Sequence, residues 1–119
     1  MILQDFRTKE NRYRHYKGGI YYKLGEGHIN NKLNKSYEFM GVGFYEKTRW
    51  GVEIWYNSKS EHFMVVVDNK IPKEISLENV IIYQSEETGT IWVREKNEWE
   101  GFTDLIDAGR VKRFTLANA

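Results

Sequence analysis

Apolar residues in this chain recur at every second position, in short runs broken by glycine and polar turns, and that period belongs to β-strands. Trp50, Val52, Ile54 and Tyr56 share one face of residues 50–56. Residues 62–68 place Phe63, Val65 and Val67 on one side and Met64 and Val66 on the other. Apolar on both faces, that run reads as a buried central strand. Val80 to Tyr83 is a further strand. Thr90 to Arg94 alternates Ile91 and Val93 with Trp92 and Arg94. A single proline, Pro72, and many β-branched and aromatic residues point the same way.

The chain opens with a hairpin pattern. Tyr13 to Lys17 is extended, Gly18-Gly19 is a tight turn, and Ile20 to Leu24 returns with Ile20, Tyr22 and Leu24 inward. Gly25-Glu26-Gly27 is expected to end that strand, and His28 to Ser36, polar and asparagine-rich, to be a loop. Tyr37 to Tyr45 alternates weakly around Gly41 and Gly43. Asp68-Asn69-Lys70 closes the central strand, and Pro72 to Asn79 connects it to the next. The best helix candidate is Thr103 to Ala108, capped by Thr103 and stopped by Gly109. Arg110 to Leu116 reads as a last strand. The pattern predicts a mainly β fold: a small, partly open β-barrel or bent antiparallel sheet with at most one short helix.

At 119 residues, residues 1–119 make one domain, with about two-thirds of the unfolded surface available for burial. Without cysteine there is no disulfide framework, no thiolate metal site and no cysteine nucleophile. No apolar run is long enough for a membrane helix, so no membrane partner is expected. Met1 to Asn11 holds no apolar core of signal-peptide length, so a cytoplasmic location is the expectation. Eighteen basic residues face seventeen acidic ones, which disfavours a protein that relies on many phosphate contacts along a nucleic acid. The charge is uneven: the opening segment carries Arg7, Lys9, Arg12, Arg14, Lys17 and Lys23, whereas Glu95 to Asp107 is acidic.

Catalytic signatures are weak. His15, His28 and His62 have no short ligand spacing, so no metal and no cofactor is expected. The serines lack a nucleophile-elbow motif, and no phosphate loop joins a strand to a helix. Glu95, Glu98, Glu100, Asp104 and Asp107 form an acidic band that reads first as solvated surface. The stronger set is aromatic and cationic. Tyr13, Arg14, His15, Tyr16 and Lys17 are consecutive; Trp92 and Arg94 share a strand face; Arg113 lies near the end. Rings stack on bases, and guanidinium groups grip phosphate. On the functional reading, Arg14, Lys17, Arg94 and Arg113 hold phosphate, Tyr13, Tyr16 and Trp92 stack, and His15 adds a donor. On the structural reading, the same rings are core anchors, Arg94 braces a turn near Tyr83, and Arg14 and Lys17 keep an edge strand soluble.

The run Tyr13-Arg14-His15-Tyr16-Lys17-Gly18, followed by Leu24-Gly25 and His28, resembles the opening of a small bacterial and phage domain family of unknown function. Val80-Ile81-Ile82-Tyr83, Ile91-Trp92-Val93-Arg94 and Arg113-Phe114 resemble that family's later motifs, in order. Glu95 stands where the family carries proline. Residues 29–79 stand where it has a short loop, so the resemblance implies an SH3-like barrel carrying an inserted three-stranded elaboration, which either extends the barrel's sheet or builds a lid or wall beside it. The phage members suggest a sequestering role.

The reading that follows is a non-enzymatic binding protein for a small phosphate-bearing, ring-containing ligand, a nucleotide or a nucleotide-derived signal. The rivals are a nucleic-acid-binding barrel, an interaction or inhibitor domain docking through the inserted aromatic strands, which would also suit a homodimer, and a small hydrolase of nucleotide derivatives.

Overall fold

In a computed structural model, whose described residues are 8–30, 35–67, 79–106 and 109–117, the chain closes a barrel around one long strand. The 3-10 turn Lys9–Asn11 leads into β1 (Arg12–His15) and β2 (Ile20–Asn30). Then come β3 (Glu38–Tyr45), β4 (Gly51–Asn57), β5 (His62–Val66), β6 (Asn79–Ser85) and β7 (Ile91–Glu95). The helix α1 (Lys96–Glu100), β8 (Phe102–Leu105), β9 (Gly109–Lys112) and β10 (Phe114–Leu116) complete it.

The six barrel staves run β2-β5-β4-β3-β7-β6 and return to β2. Four seams are antiparallel; β2–β5 and β3–β7 are parallel. The fold is therefore mainly β, with one short α-helix among the described residues, as the alternation predicts, and closure leaves these six strands no open edge. The strands within residues 29–79 are neither lid nor annex. β3, β4 and β5 are half of the staves, and Val52, Ile54, Phe63 and Val65 sit in the same interior as Leu24, Val80 and Val93.

Two glycines make the parallel seams. Gly27 pairs with Phe63, and a Cβ at Gly27 would lie 2.3 Å from the Phe63 carbonyl oxygen. At Gly43 the same atom would lie 2.5 Å from the Ile91 carbonyl oxygen. Gly25-Glu26-Gly27 thus does not end the hairpin strand. It carries β2 onward through His28, Ile29 and Asn30, because only glycine lets β5 come this close. The β2–β6 register slips between Lys23 and Gly25, a bulge that bends the long strand. Before the bend, one edge of β2 pairs with β1 (Arg12↔Tyr22, Arg14↔Ile20); beyond it, the same edge pairs with β5. β10 adds to the far side of β1. Arg12 donates to both carboxylate oxygens of Glu86, at 3.3 and 2.9 Å, and ties β1 to the β6–β7 turn.

The helix lies elsewhere than the capping pattern suggests. Thr103 to Leu105 belongs to β8, paired with β9 across Thr103↔Val111 and Asp104↔Arg110, and Gly109 serves that hairpin at φ +70° instead of stopping a helix. The helical turn is Lys96–Glu100, whose Trp99 is buried. Propensity over five residues decides little; a tryptophan with a place to dock decides more. The expected last strand divides at Arg113 into β9 and β10, which lie in different sheets. The end of the central strand at 68–70, the connection at 72–78 and the tip at 107–108 lie outside the described residues, as do residues 31–34 of the expected loop.

Gly27→Ala is expected to cost roughly 2–3 kcal/mol, since the clash is with backbone and cannot be relieved by a rotamer. Gly51→Ala, where nothing lies within 4 Å of the added carbon, is expected to change stability by less than about 0.5 kcal/mol. Urea unfolding of the two variants checks both values.

Candidate functional site

Alternation along β6 and β7 puts Val80, Ile82, Ile91 and Val93 inside the barrel and Ile81, Tyr83, Trp92 and Arg94 outside. That outer face is covered. Phe114 of β10 and Trp99 of α1 stack on each other at 3.8 Å with 16° between planes, and both pack on Tyr83, at 5.6 and 5.0 Å. Tyr13 meets Trp99 edge-on at 5.2 Å, His15 meets Phe114 at 4.9 Å and Tyr21 meets Tyr83 at 5.3 Å. The result is a second, aromatic core outside the barrel, held between its wall and the β1–β10 flap.

Arg94 is the charge inside this layer. Its side chain is only 13% exposed. Its Nε donates to the Tyr83 hydroxyl at 3.2 Å, and its guanidinium lies 5.3 Å from the Phe114 ring centre. Glu46 and Glu98 flank it at 3.4 and 3.8 Å. Burial opposes the charge, but Tyr83, Glu46 and Glu98 outweigh it and hold the Arg94 pKa above its ordinary value. Burial likewise pushes the Tyr83 hydroxyl up to about 12, so it stays neutral beside the arginine.

His15 carries no charge at neutral pH. Burial first, then the charges of Arg94, Lys17 and Arg113, lower its pKa to about 4, with Glu46 opposing. The Lys17 backbone N–H donates to Nδ1 at 3.3 Å, which leaves the ring proton on Nε2.

A hollow of about 120 Å³ opens beside this layer, lined by Tyr21, Glu46, Arg49, Tyr83, Trp92 and Arg94. Glu46 and Arg49 come from the β3–β4 turn, which the Glu46 N–H bond to the Val93 carbonyl anchors to β7. Arg49 sits at φ 64°, with its guanidinium 5.2 Å from the Trp92 ring centre. Two cations, one carboxylate and three aromatic rings thus share one concavity. Such a lining suits an anionic group and a flat ring.

The structure brings part of the sequence-derived set together. Tyr13, His15, Arg94 and Trp92 belong to this layer and its rim. Arg113 reaches it from the start of β10, where one guanidinium nitrogen donates to the Glu98 carbonyl at 3.2 Å. Tyr16 lies in the turn after β1, 4.5 Å from His15, and Lys17 lies 5.7 Å over the Tyr16 ring, exposed. Arg14 points away from Tyr13 and His15, into solvent. Sequence reasoning missed Tyr21, Glu46, Arg49 and Tyr83. Tyr21 was legible as the cross-strand neighbour of Tyr13, and Tyr83 as that of Trp92. Glu46 and Arg49 carry no sequence signal, since a turn inside the supposed insertion reaches the site only when β3 pairs with β7.

Among the described residues, no three histidines or carboxylates gather as a metal cage. His28 and His62, distant in sequence, do meet: His28 Nδ1 lies 3.0 Å from His62 Nε2. Comparisons with protein families, with curated proteins and with solved structures find no match for this chain, so its chemistry rests on its own geometry.

Trp99→Ala is expected to cost roughly 3–5 kcal/mol, measured by chemical denaturation, because it empties the centre of the aromatic layer. The histidine makes stability pH-dependent. Between pH 6.5 and about 4 the unfolded chain takes up a proton that folded His15 refuses, so stability falls as pH falls through that window. His28, lowered by burial and then by His62, acts in the same direction. His15→Asn, which keeps an acceptor near the Lys17 amide, is expected to flatten the slope of melting temperature against pH; an unaltered slope would remove His15 from this account.

Proposed function

We propose that this protein binds, without altering it, a small phosphate-bearing ligand with a planar ring, in the class of nucleotides and nucleotide-derived signals. The observation that supports it most is the pairing of Arg49 and Arg94 with the Trp92, Tyr21 and Tyr83 rings around one hollow. Arg49 is the free partner: among the described residues its guanidinium meets a ring and no carboxylate. Arg94, held by Glu46 and Glu98, fixes the second cation in place and costs little reorganisation on binding. About 120 Å³ accommodates a phosphoryl group or one ring, well under the 300 Å³ or more typical of sites that engulf a drug-sized ligand. The remainder of the ligand therefore lies outside the hollow, along its rim. The lining supports holding over turnover, because its one carboxylate, Glu46, is already engaged by Arg94 and no nucleophile stands beside a base.

Heating the purified protein and analysing what it releases tests this, together with thermal shift against nucleoside phosphates. An intact nucleotide-like ligand and a melting temperature that rises with its concentration are expected. Arg49→Ala is expected to weaken binding by roughly 10- to 100-fold, the worth of a charge-assisted hydrogen bond, with Arg14→Ala unchanged. No released ligand and no shift with any nucleoside phosphate would reject the reading; a released product chemically altered from what was added would favour the hydrolase.

A second reading rests on a different face. Phe39, Val42 and Phe44 are 53, 67 and 44% exposed. Phe44 continues to Trp92 at 5.7 Å, and Phe39 to Trp55 at 5.3 Å. Such an apolar stripe suits pairing of two copies. Sedimentation of wild type against Val42→Glu is expected to show a dimer that the variant loses; a wild-type monomer at high concentration rejects it.

A further inference from the structure

The barrel brings two histidines together at a place unrelated to the hollow described above. His28 lies on β2, beyond the bulge, and His62 opens β5, one residue before the Gly27↔Phe63 pair that starts the parallel seam. Both side chains are half-buried, and both strands are fixed by pairing on their other edges: His28 opposite Asn79 on β6, His62 opposite Asn57 on β4. Their ring centres are 5.2 Å apart with 23° between planes, while the facing nitrogens are 3.0 Å apart. The rings therefore meet edge to edge, nitrogen to nitrogen.

Two imidazole nitrogens cannot face each other at that distance with both lone pairs bare. Something positive must lie between or beside them: a ring proton, or a cation. The proton arrangement needs one ring to present N–H and the other its lone pair. Each neutral imidazole has a second nitrogen, so moving that proton to the outer position frees both inner lone pairs without ionising either ring. With metal–nitrogen bonds of about 2.0–2.1 Å, two ligands at a tetrahedral or a cis square-planar centre stand about 2.8–3.4 Å apart. The observed separation falls within that interval. Turning each ring by roughly 35–45° aims the two lone pairs at a common point, the angle that a tetrahedral or cis square-planar centre requires.

We propose that His28 and His62 form a two-histidine chelate for a late first-row divalent cation, Cu²⁺ or Zn²⁺, whose other positions no described histidine or carboxylate fills. Imidazole nitrogen selects these metals over Mg²⁺ or Ca²⁺, which want oxygen. The chelate clamps β2 to β5 across the parallel seam, so bound metal stabilises the closed barrel. A site with open positions on such a clamp also accepts a further donor from a partner or ligand.

The experiment uses untagged, metal-free protein. Cu²⁺ or Zn²⁺ titrated into it is expected to bind one ion per chain and to raise the melting temperature with saturation, and Mg²⁺ is expected to do neither. In nuclear magnetic resonance spectra, substoichiometric Cu²⁺ is expected to broaden the ring signals of His28 and His62 and to spare those of His15. His62→Gln is expected to weaken binding at least tenfold; His28→Gln repeats the test if that variant folds poorly, and the wild-type spectra need no variant. No saturable binding, or broadening centred on His15, or binding unchanged in a folded variant, overturns the proposal and leaves the pair a hydrogen bond.

Discussion

The whole structure depends on β2 serving two neighbours along one edge. Its first part holds β1 and its second part holds β5, while β6 runs along the opposite edge throughout. A straight strand could not direct one edge to two such different partners. The bulge between Lys23 and Gly25 turns it, and the absence of a side chain at Gly27 lets Phe63 approach until the barrel closes. Gly43 does the same for the second parallel seam. Because β1 leaves the barrel where β5 joins it, β1 and β10 are free to fold back over the outer wall.

That flap creates the setting for chemistry. A barrel wall facing water would keep Tyr83 and Arg94 solvated. Here Phe114, Trp99 and Tyr13 cover them, and the low-dielectric layer makes each remaining polar contact count for more. Arg94 retains its charge because a hydroxyl and two carboxylates surround it; Tyr83 and His15 stay neutral at neutral pH. With Arg94 flanked by Glu46 and Glu98, Arg49 is the less compensated of the two cations at the hollow.

Much of the fold was legible along the chain. Period-two alternation located the barrel staves, and the two-sided apolar run of Phe63 to Val67 correctly announced an interior strand. Legibility failed where glycine and threonine carry two meanings. Gly25 and Gly27 have the signature of a turn and the function of close packing, and the difference lies in Phe63, 36 residues beyond Gly27. Thr103 and Gly109 bracket a plausible helix, yet the short helix forms at Trp99, which has the aromatic layer to dock into. Residues 29–79 extend the barrel's sheet instead of forming a lid or wall beside it, because the flanking segments supply only three staves and cannot close a barrel alone.

For the site, the sequence by itself determined which side chains were available: rings and cations concentrated in Tyr13 to Lys17 and in Trp92 to Arg94, and the alternation that sends Trp92 and Arg94 to one face. It also placed three histidines far apart. Only the tertiary structure decided that Arg14 leaves the group, that Glu46 and Arg49 join it, and that His28 meets His62. The reason is physical: alternation is local and survives any arrangement of strands, whereas the meeting of residues across β2–β5 and β3–β7 depends on which strands pair. That pairing was set by the space two missing side chains left open.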